Sequence, residues 1–359
     1  MAEAKSIESL SLFFTAGVAA GTVSAGHHAA TVCAVLLPLA ALPFFCREKL
    51  LKQSPKAIGV LFCAAFLVLG LFCALNSSMI PKGSESLLFI KAEECAAALK
   101  ALIGRIPFRH ATTAPLLQAL FTGDRTAITR DVISAFRGSG ASHILALSGL
   151  HMGIIYMIFD RLTAVAGRSP GAKVVRFVLI ISASGFFTIM TGAAPSIVRA
   201  FLFILINEVL KLTGRPRKAV RVLCLALLVQ LVLEPGVIST LGFQLSYLAM
   251  GGILIIYPVM EKWYPESRSP LRMVWKSAAL AISCQIPTAP LVWMRFHTFP
   301  RYFLITNLLA LPLTTILMTS AVATIAAAAF GEAPGVLIKA TDGLCSLMIR
   351  ILEIISSLP

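Results

Sequence analysis

The chain is divided into a succession of apolar runs, at about residues 10–25, 29–45, 57–76, 142–159, 174–190, 196–212, 220–233, 241–260, 277–294, 303–329 and 334–355. A helix of roughly 20 apolar residues crosses a hydrocarbon core about 30 Å thick. Soluble domains carry about 25% charged residues, whereas this chain of 359 residues has 13% charged and 58% hydrophobic, with a mean hydropathy of +0.87. A soluble fold this apolar would expose patches that aggregate, so lipid must solvate much of it. The expected fold is all-α: a polytopic integral membrane helical bundle of about ten to eleven transmembrane helices, some broken, plus amphipathic exterior helices.

Loop charge orients these runs. Residues 47–56, 161–176, 211–221 and 262–276 carry 4, 4, 5 and 4 basic side chains, together 17 of the 31 Lys and Arg. Simple alternation of the spans puts all four segments on one side, which the positive-inside rule makes cytoplasmic. The N-terminus is then cytoplasmic too. Glu3, Lys5 and Glu8 do not make the basic start of a removable signal, so the first run reads as a retained helix. It pairs with the second across Gly26, His27 and His28 as a helical hairpin. The net charge of +15 largely reflects this topology and does not by itself indicate nucleic acid.

The same alternation places residues 77–140 outside, and divides the chain into N-terminal transmembrane helices (1–76), an exterior segment (77–140) and a transmembrane core (141–359). The exterior segment is predicted to hold an amphipathic helix over 84–103, with Glu85, Glu93 and Glu94 near its start and Lys100 near its end, as a helix dipole favours. Ile128, Val132, Ile133 and Phe136 recur at helical spacing over 127–136, which predicts a helix lying on the membrane surface. Eight basic side chains against five acidic ones sit in this segment. Topology does not account for those, which leaves interfacial anchoring or contact with an anionic substrate. None of the eight cysteines forms a C-x-x-C pair, so no disulfide framework or metal site is expected.

Polar groups within the apolar runs are the candidate functional residues, because a charge in hydrocarbon costs about 2.5–3.5 kcal/mol on insertion scales. His143, Ser148 and His151 form a first cluster. On an unbroken helix Ser148 and His151 share a face, and a break at Gly149 would instead resemble a transport site. Ser196, Arg199 and Asn207 form a second cluster, within about 80° of helical arc. Either they line a cavity or Arg199 snorkels to the exterior surface, while Glu208 is placed to pair with Lys211. Gln244, Tyr247 and Gly251 share a face suited to close helix packing. Gln285 with Pro287 and Pro290, and Asn307 with Pro312, predict helices broken at proline. No P-loop, H-x-H-x-D-H or H-E-x-x-H occurs, so no cofactor, metal or catalytic residue is expected and the chain does not read as an enzyme.

Four ordered motifs go beyond these physical readings. They are Leu120-Phe121-Thr122-Gly123-Asp124-Arg125 with Phe136-Arg137-Gly138-Ser139-Gly140 and His143-Ile144-Leu145-Ala146-Leu147-Ser148-Gly149-Leu150-His151; Gly192-Ala193-Ala194-Pro195-Ser196-Ile197-Val198-Arg199-Ala200; Gly242-Phe243-Gln244-Leu245-Ser246-Tyr247; and Asn307-Leu308-Leu309-Ala310-Leu311-Pro312. In this order they resemble the ComEC family over residues 115–329, most of the chain.

The resemblance implies a channel that passes single-stranded DNA across the bacterial inner membrane during competence. His143, Ser148, His151, Ser196, Arg199, Gln244 and Asn307 would then line or shape the path. It also implies partners: single-stranded DNA, the lipid bilayer, and separate proteins serving as DNA receptor, nuclease, and cytosolic ATPase or strand-binding protein. The pore would be enclosed by one subunit or by a homo-oligomer. Full-length family members often add an oligonucleotide-binding domain and a C-terminal metallo-β-lactamase-like domain. The segment 77–140 is short for the first, and the sequence stops at Pro359 before the second. Two other readings stand beside the channel: a transporter of another solute or polymer on the same scaffold, and an intramembrane hydrolase using Ser148 and His151.

Overall fold

The computed structural model describes residues 2–23, 55–77, 87–164, 167, 169–264, 270–297 and 301–358. The apolar run at 29–45, its turn at His27 and His28, and Glu85 lie outside the described residues. Among the described residues every regular element is a helix. The first are α1 (Ala2–Val23), α2 (Pro55–Ser77), α3 (Leu87–Arg105), α4 (Thr113–Thr122) and α5 (Arg130–Gly138). Then come α6 (Ser142–Leu145), α7 (Gly149–Ala164), α8 (Pro170–Met190), α9 (Pro195–Leu212) and α10 (Ala219–Leu233). A 3-10 turn (Pro235–Ser239) precedes α11 (Leu241–Ile255), α12 (Tyr257–Glu261), α13 (Pro270–Phe296), α14 (Phe303–Ala329) and α15 (Gly335–Ser356). Among the described residues four stretches are long and apolar enough to cross a membrane: Pro170–Met190, Leu241–Glu261, Leu271–Phe296 and Phe303–Ala329. The chain is a helical membrane protein.

The chain divides into two compact units, Met1–Ser84 with Phe201–Ser246, and Glu85–Ala200 with Tyr247–Pro359. In the first unit α1 and α2 pack backbone to backbone. A Cβ at Gly17 would run into the Leu67 carbonyl, one at Gly70 into the Phe14 carbonyl, and one at Gly21 would sit 2.6 Å from the Ala74 Cβ. Gly17 and Gly21 are spaced as in G-x-x-x-G, which lets two helices approach where lipid supplies no hydrophobic drive. Phe14 and Val18 are buried in this seam, and Phe14 meets Phe66 edge to face at 6.5 Å between ring centres.

The second unit is organised around α14 and α15, which pair antiparallel. Thr341 of α15 bonds Ser320 (2.7 Å) and Thr324 (2.8 Å) of α14. At the opposite end Thr306 donates to the Ser139 carbonyl at 2.7 Å, and a Cβ at Gly138 would lie 3.0 Å from Ser356. Helices α3 to α5 bury their apolar faces against this pair, with Ile103, Leu117, Phe136, Leu317 and Leu352 in one core.

The structure corrects two expectations. The stripe of α5 does not lie on a membrane surface: Val132 and Phe136 are buried, and α5 packs on α15. Its apolar spacing is satisfied by protein, which a periodicity argument cannot tell from lipid. Lys100, near the end of α3, is bonded to Asp124 at 2.8 Å.

The second correction concerns proline. Helices α13 and α14 run unbroken through Pro287, Pro290 and Pro312. Pro287 lacks the N–H that would bond the Ser283 carbonyl one turn earlier. Gly252 of α11 fits onto that carbonyl, where a Cβ would collide with it and sit 2.8 Å from Pro287 Cγ. The backbone approach covers the freed acceptor, so the helix has no need to break. The close approach predicted for Gly251 is therefore made by its neighbour, and Gly251 has open space beside it.

Basic segments at the helix ends find acidic partners. Arg176 pairs with Asp160, Lys276 with Glu261 at 2.9 Å, and Lys211 with the buried Glu208 at 3.1 Å, as its spacing predicted.

Candidate functional site

The apolar run 142–159 is interrupted. Helix α6 ends at Leu145, residues 146–148 are not helical, and α7 starts at Gly149. Ser148 caps the new helix: its Oγ accepts from the Leu150 N–H at 3.3 Å, and its carbonyl lies 3.5 Å from the Met152 N–H. His151 reaches back so that its Nδ1 accepts from the Ser148 N–H at 3.2 Å. This is a capping box with histidine in the place usually held by Glu or Gln. Because Nδ1 accepts, the ring proton of neutral His151 resides on Nε2. His151 is fully buried, and Nε2 has no hydrogen-bond partner among the described residues.

The cap fixes the positions of both Ser148 and His151. Ser148 Oγ lies 3.0 Å from the same Nδ1 that receives the backbone N–H, so two donors share one lone pair.

Residues from other motifs converge on this break. Ser196, in the first turn of α9, donates to the Leu147 carbonyl at 2.8 Å, satisfying an acceptor freed where α6 stops. One turn on, Arg199 is 9% exposed. A Cβ at Gly149 would lie 3.3 Å from Arg199 Nη2, so glycine here lets the guanidinium approach the first turn of α7. The other side of Arg199 covers the Tyr247 ring, 5.9 Å from its centroid, a cation–π contact. Gly123, left-handed at φ 81°, ends α4, and a Cβ there would lie 2.6 Å from Leu147 Cδ1. Before α9 the chain turns through Gly192 (φ 72°) and Ala193 (φ 50°). A left-handed alanine costs roughly 1–2 kcal/mol, held in place here by the surrounding turn.

The other expected path residues take separate positions. His143 is exposed on α6, with its Nδ1 3.2 Å from the Gly140 carbonyl. Asn207 is half-buried further along α9, in the first unit. The Gln244 amide donates to the Ile238 carbonyl at 2.9 Å, fastening the 3-10 turn to the start of α11. Gln285 is half-buried on α13, where its carbonyl accepts from the Thr288 hydroxyl at 3.2 Å. Asn307 lies in the second turn of α14, its Oδ1 buried and without a partner among the described residues. The structure thus joins Ser148, His151, Ser196, Arg199 and Tyr247 at the break. The others are not shown to join them. No group of three metal-ligating side chains occurs among the described residues.

Outside this site, Asp124 is held well below the usual carboxylate range by the Lys100 hydrogen bond and by the Thr126 hydroxyl and N–H. This Asx-type turn follows the Gly123 cap.

Comparison with known proteins fits this convergence. The chain is 29% identical over 207 residues to ComE operon protein 3 of Bacillus subtilis, a stretch covering 56% of this chain and 24% of the relative. It is 27% identical over 211 residues to the uncharacterized protein YcaI of Escherichia coli, covering 56% and 27%. The matched part therefore spans about a quarter of each relative's length. No solved structure matches the chain. The sequence model of the family described as Competence protein matches residues 120–359, past the end of the last motif. With well over half of its length so matched, the chain belongs to the competence protein family, that of ComEC.

Proposed function

We propose that this chain conducts single-stranded DNA across the bacterial inner membrane during competence. The observation that carries the reading is Arg199, a buried cation beside the first turn of a half-helix in a membrane protein. Half-helix N-termini carry positive partial charge and serve anionic substrates in transport proteins. Here that charge and a guanidinium reinforce each other, a pairing suited to phosphate. Tyr247 beneath Arg199 adds an aromatic face of the kind on which bases stack without regard to sequence.

In this reading the chain crosses the membrane ten to eleven times with a cytoplasmic N-terminus, and acts as a conduit, not a catalyst. A separate receptor, a nuclease and a cytosolic motor or strand-binding protein deliver, trim and pull the strand. A second copy of the chain completes the pore if one does not enclose it.

The test follows end-labelled duplex DNA into cells with and without the gene and measures label protected from external nuclease. Deletion is expected to abolish protected label, wild type to restore it and Arg199→Glu to fail. Ser148→Ala, which removes a helix cap worth about 1 kcal/mol, is expected to keep uptake within about tenfold of wild type. Unchanged uptake on deletion would overturn the reading. Loss of all uptake with Ser148→Ala at normal protein levels would favour the hydrolase.

A further inference from the structure

The connection between α3 and α4 is anchored from below by a single carboxylate. Asp342 of α15 is 4% exposed. Its Oδ1 accepts from the His110 N–H at 3.2 Å and from the Thr113 hydroxyl at 2.6 Å, and its Oδ2 lies 2.7 Å from His110 Nδ1. An ionised carboxylate only accepts, so Nδ1 carries the ring proton and Nε2 is on the far side of a ring that is 44% exposed. Arg105 and Arg109 are exposed on the same connection. No carboxylate occurs in the sequence between Glu94 and Asp124, and Asp124 is engaged with Lys100. The apolar side chains here turn inward: Ile103, Ile106 and Leu116 are buried and Phe108 is half-buried.

We propose that Arg105, Arg109 and His110 form a landing site for the phosphodiester backbone of single-stranded DNA, with Asp342 as its positioning residue. The inference rests on the DNA-handling reading above. A patch that docks on a bilayer pairs its cations with apolar side chains that insert between lipids. This connection offers cations without an exposed large apolar side chain, which favours a soluble polyanion. Three donors on one buried carboxylate hold the loop before a ligand arrives, so binding need not first order it.

The test uses the full chain in neutral phosphatidylcholine nanodiscs and the fluorescence anisotropy of an end-labelled 20-nucleotide strand between 50 and 200 mM salt. Arg105→Glu with Arg109→Glu is expected to weaken binding at least tenfold. It should also flatten the plot of log affinity against log salt by about 1.4, since each phosphate neutralised on a single strand accounts for about 0.7. Asp342→Asn is the sharper variant. Removing a negative charge would by charge alone tighten binding of an anion, whereas loss of positioning weakens it, and a several-fold weakening is expected. If Asp342→Asn does not fold, His110→Gln at the exposed ring carries the same expectation.

Unchanged affinity in the double variant, or tighter binding by Asp342→Asn, would overturn the site. So would a double variant that loses only its binding to phosphatidylserine vesicles, which assigns the patch to lipid headgroups. The uptake assay separates the two readings. Uptake that needs the gene while the double variant binds normally sinks this site and leaves the channel. Normal strand binding by wild type with no dependence of uptake on the gene sinks the channel.

Discussion

The α1–α2 seam and the break before α7 solve the same problem in opposite ways. In a membrane each backbone N–H and C=O must find a partner away from water. The seam keeps both helices whole, so their backbones satisfy themselves, and glycines at 17, 21 and 70 let the surfaces close without a polar side chain. The break gives up helical bonds at residues 146–148 and recovers them with side chains from elsewhere. Ser148 and His151 cap one end, and Ser196 takes the Leu147 carbonyl. Glycine recurs in both places, admitting a carbonyl at Gly17 and a guanidinium at Gly149. A seam of the first kind only holds helices together. A break of the second kind gathers charge and polarity that packing alone does not require.

The largest contrast should come from Gly17→Val, which forces side-chain atoms into the Leu67 carbonyl. Overpacking of a tight interface costs about 1–3 kcal/mol or more, and a rigid backbone neighbour puts this case at the upper end. Thermal unfolding of the purified chain in detergent should fall by many degrees. At Gly149 the neighbour is the end of a flexible side chain, so Gly149→Ala should barely move the same transition. Equal losses at both positions would erase the distinction.

A smaller effect is expected for Ser196→Ala, which leaves the Leu147 carbonyl without its donor. A fully buried unsatisfied acceptor costs about 1–3 kcal/mol; Leu147 is half-buried, so the low end is expected, and Ser196→Thr, which keeps the hydroxyl, should recover most of the loss. If alanine and threonine unfold alike, the bond from Ser196 does not hold the break.

The smallest effect should appear in acid, outside both regions. Asp124 has a folded pKa below its unfolded value of about 3.9. Its contribution is therefore full above that value and is lost as pH falls from there through the folded pKa. Unfolding temperatures measured from pH 6 to pH 3 should fall slightly further for wild type than for Asp124→Asn. The partly exposed Lys100–Asp124 pair keeps the difference modest. Parallel curves would show that the pair contributes nothing.

Much of this was legible in residue order. Apolar runs too long and too numerous for a soluble fold set the class, and Gly149 marks a place where one of them can break. The pairing of Glu208 with Lys211 follows from spacing on one helix. The Gly17-x-x-x-Gly21 spacing is equally local, although an apolar run does not say which of its faces meets a partner. Gly70 is not legible, because nothing nearby in sequence names α1 as its neighbour.

Where sequence reasoning went astray, the deciding contact came from far along the chain. The stripe of α5 reads the same whether lipid or α15 covers it, and only the fold supplies α15. Proline in α13 predicts a break until Gly252, more than thirty residues earlier, is found against the Ser283 carbonyl. Composition and local spacing settle the solvent, the helices and their caps, because those depend on neighbours within a turn or two. Which buried groups meet, as Arg199 meets Tyr247 and Asp342 meets His110, depends on how the helices pack. That is a sum over long-range contacts that local spacing does not encode.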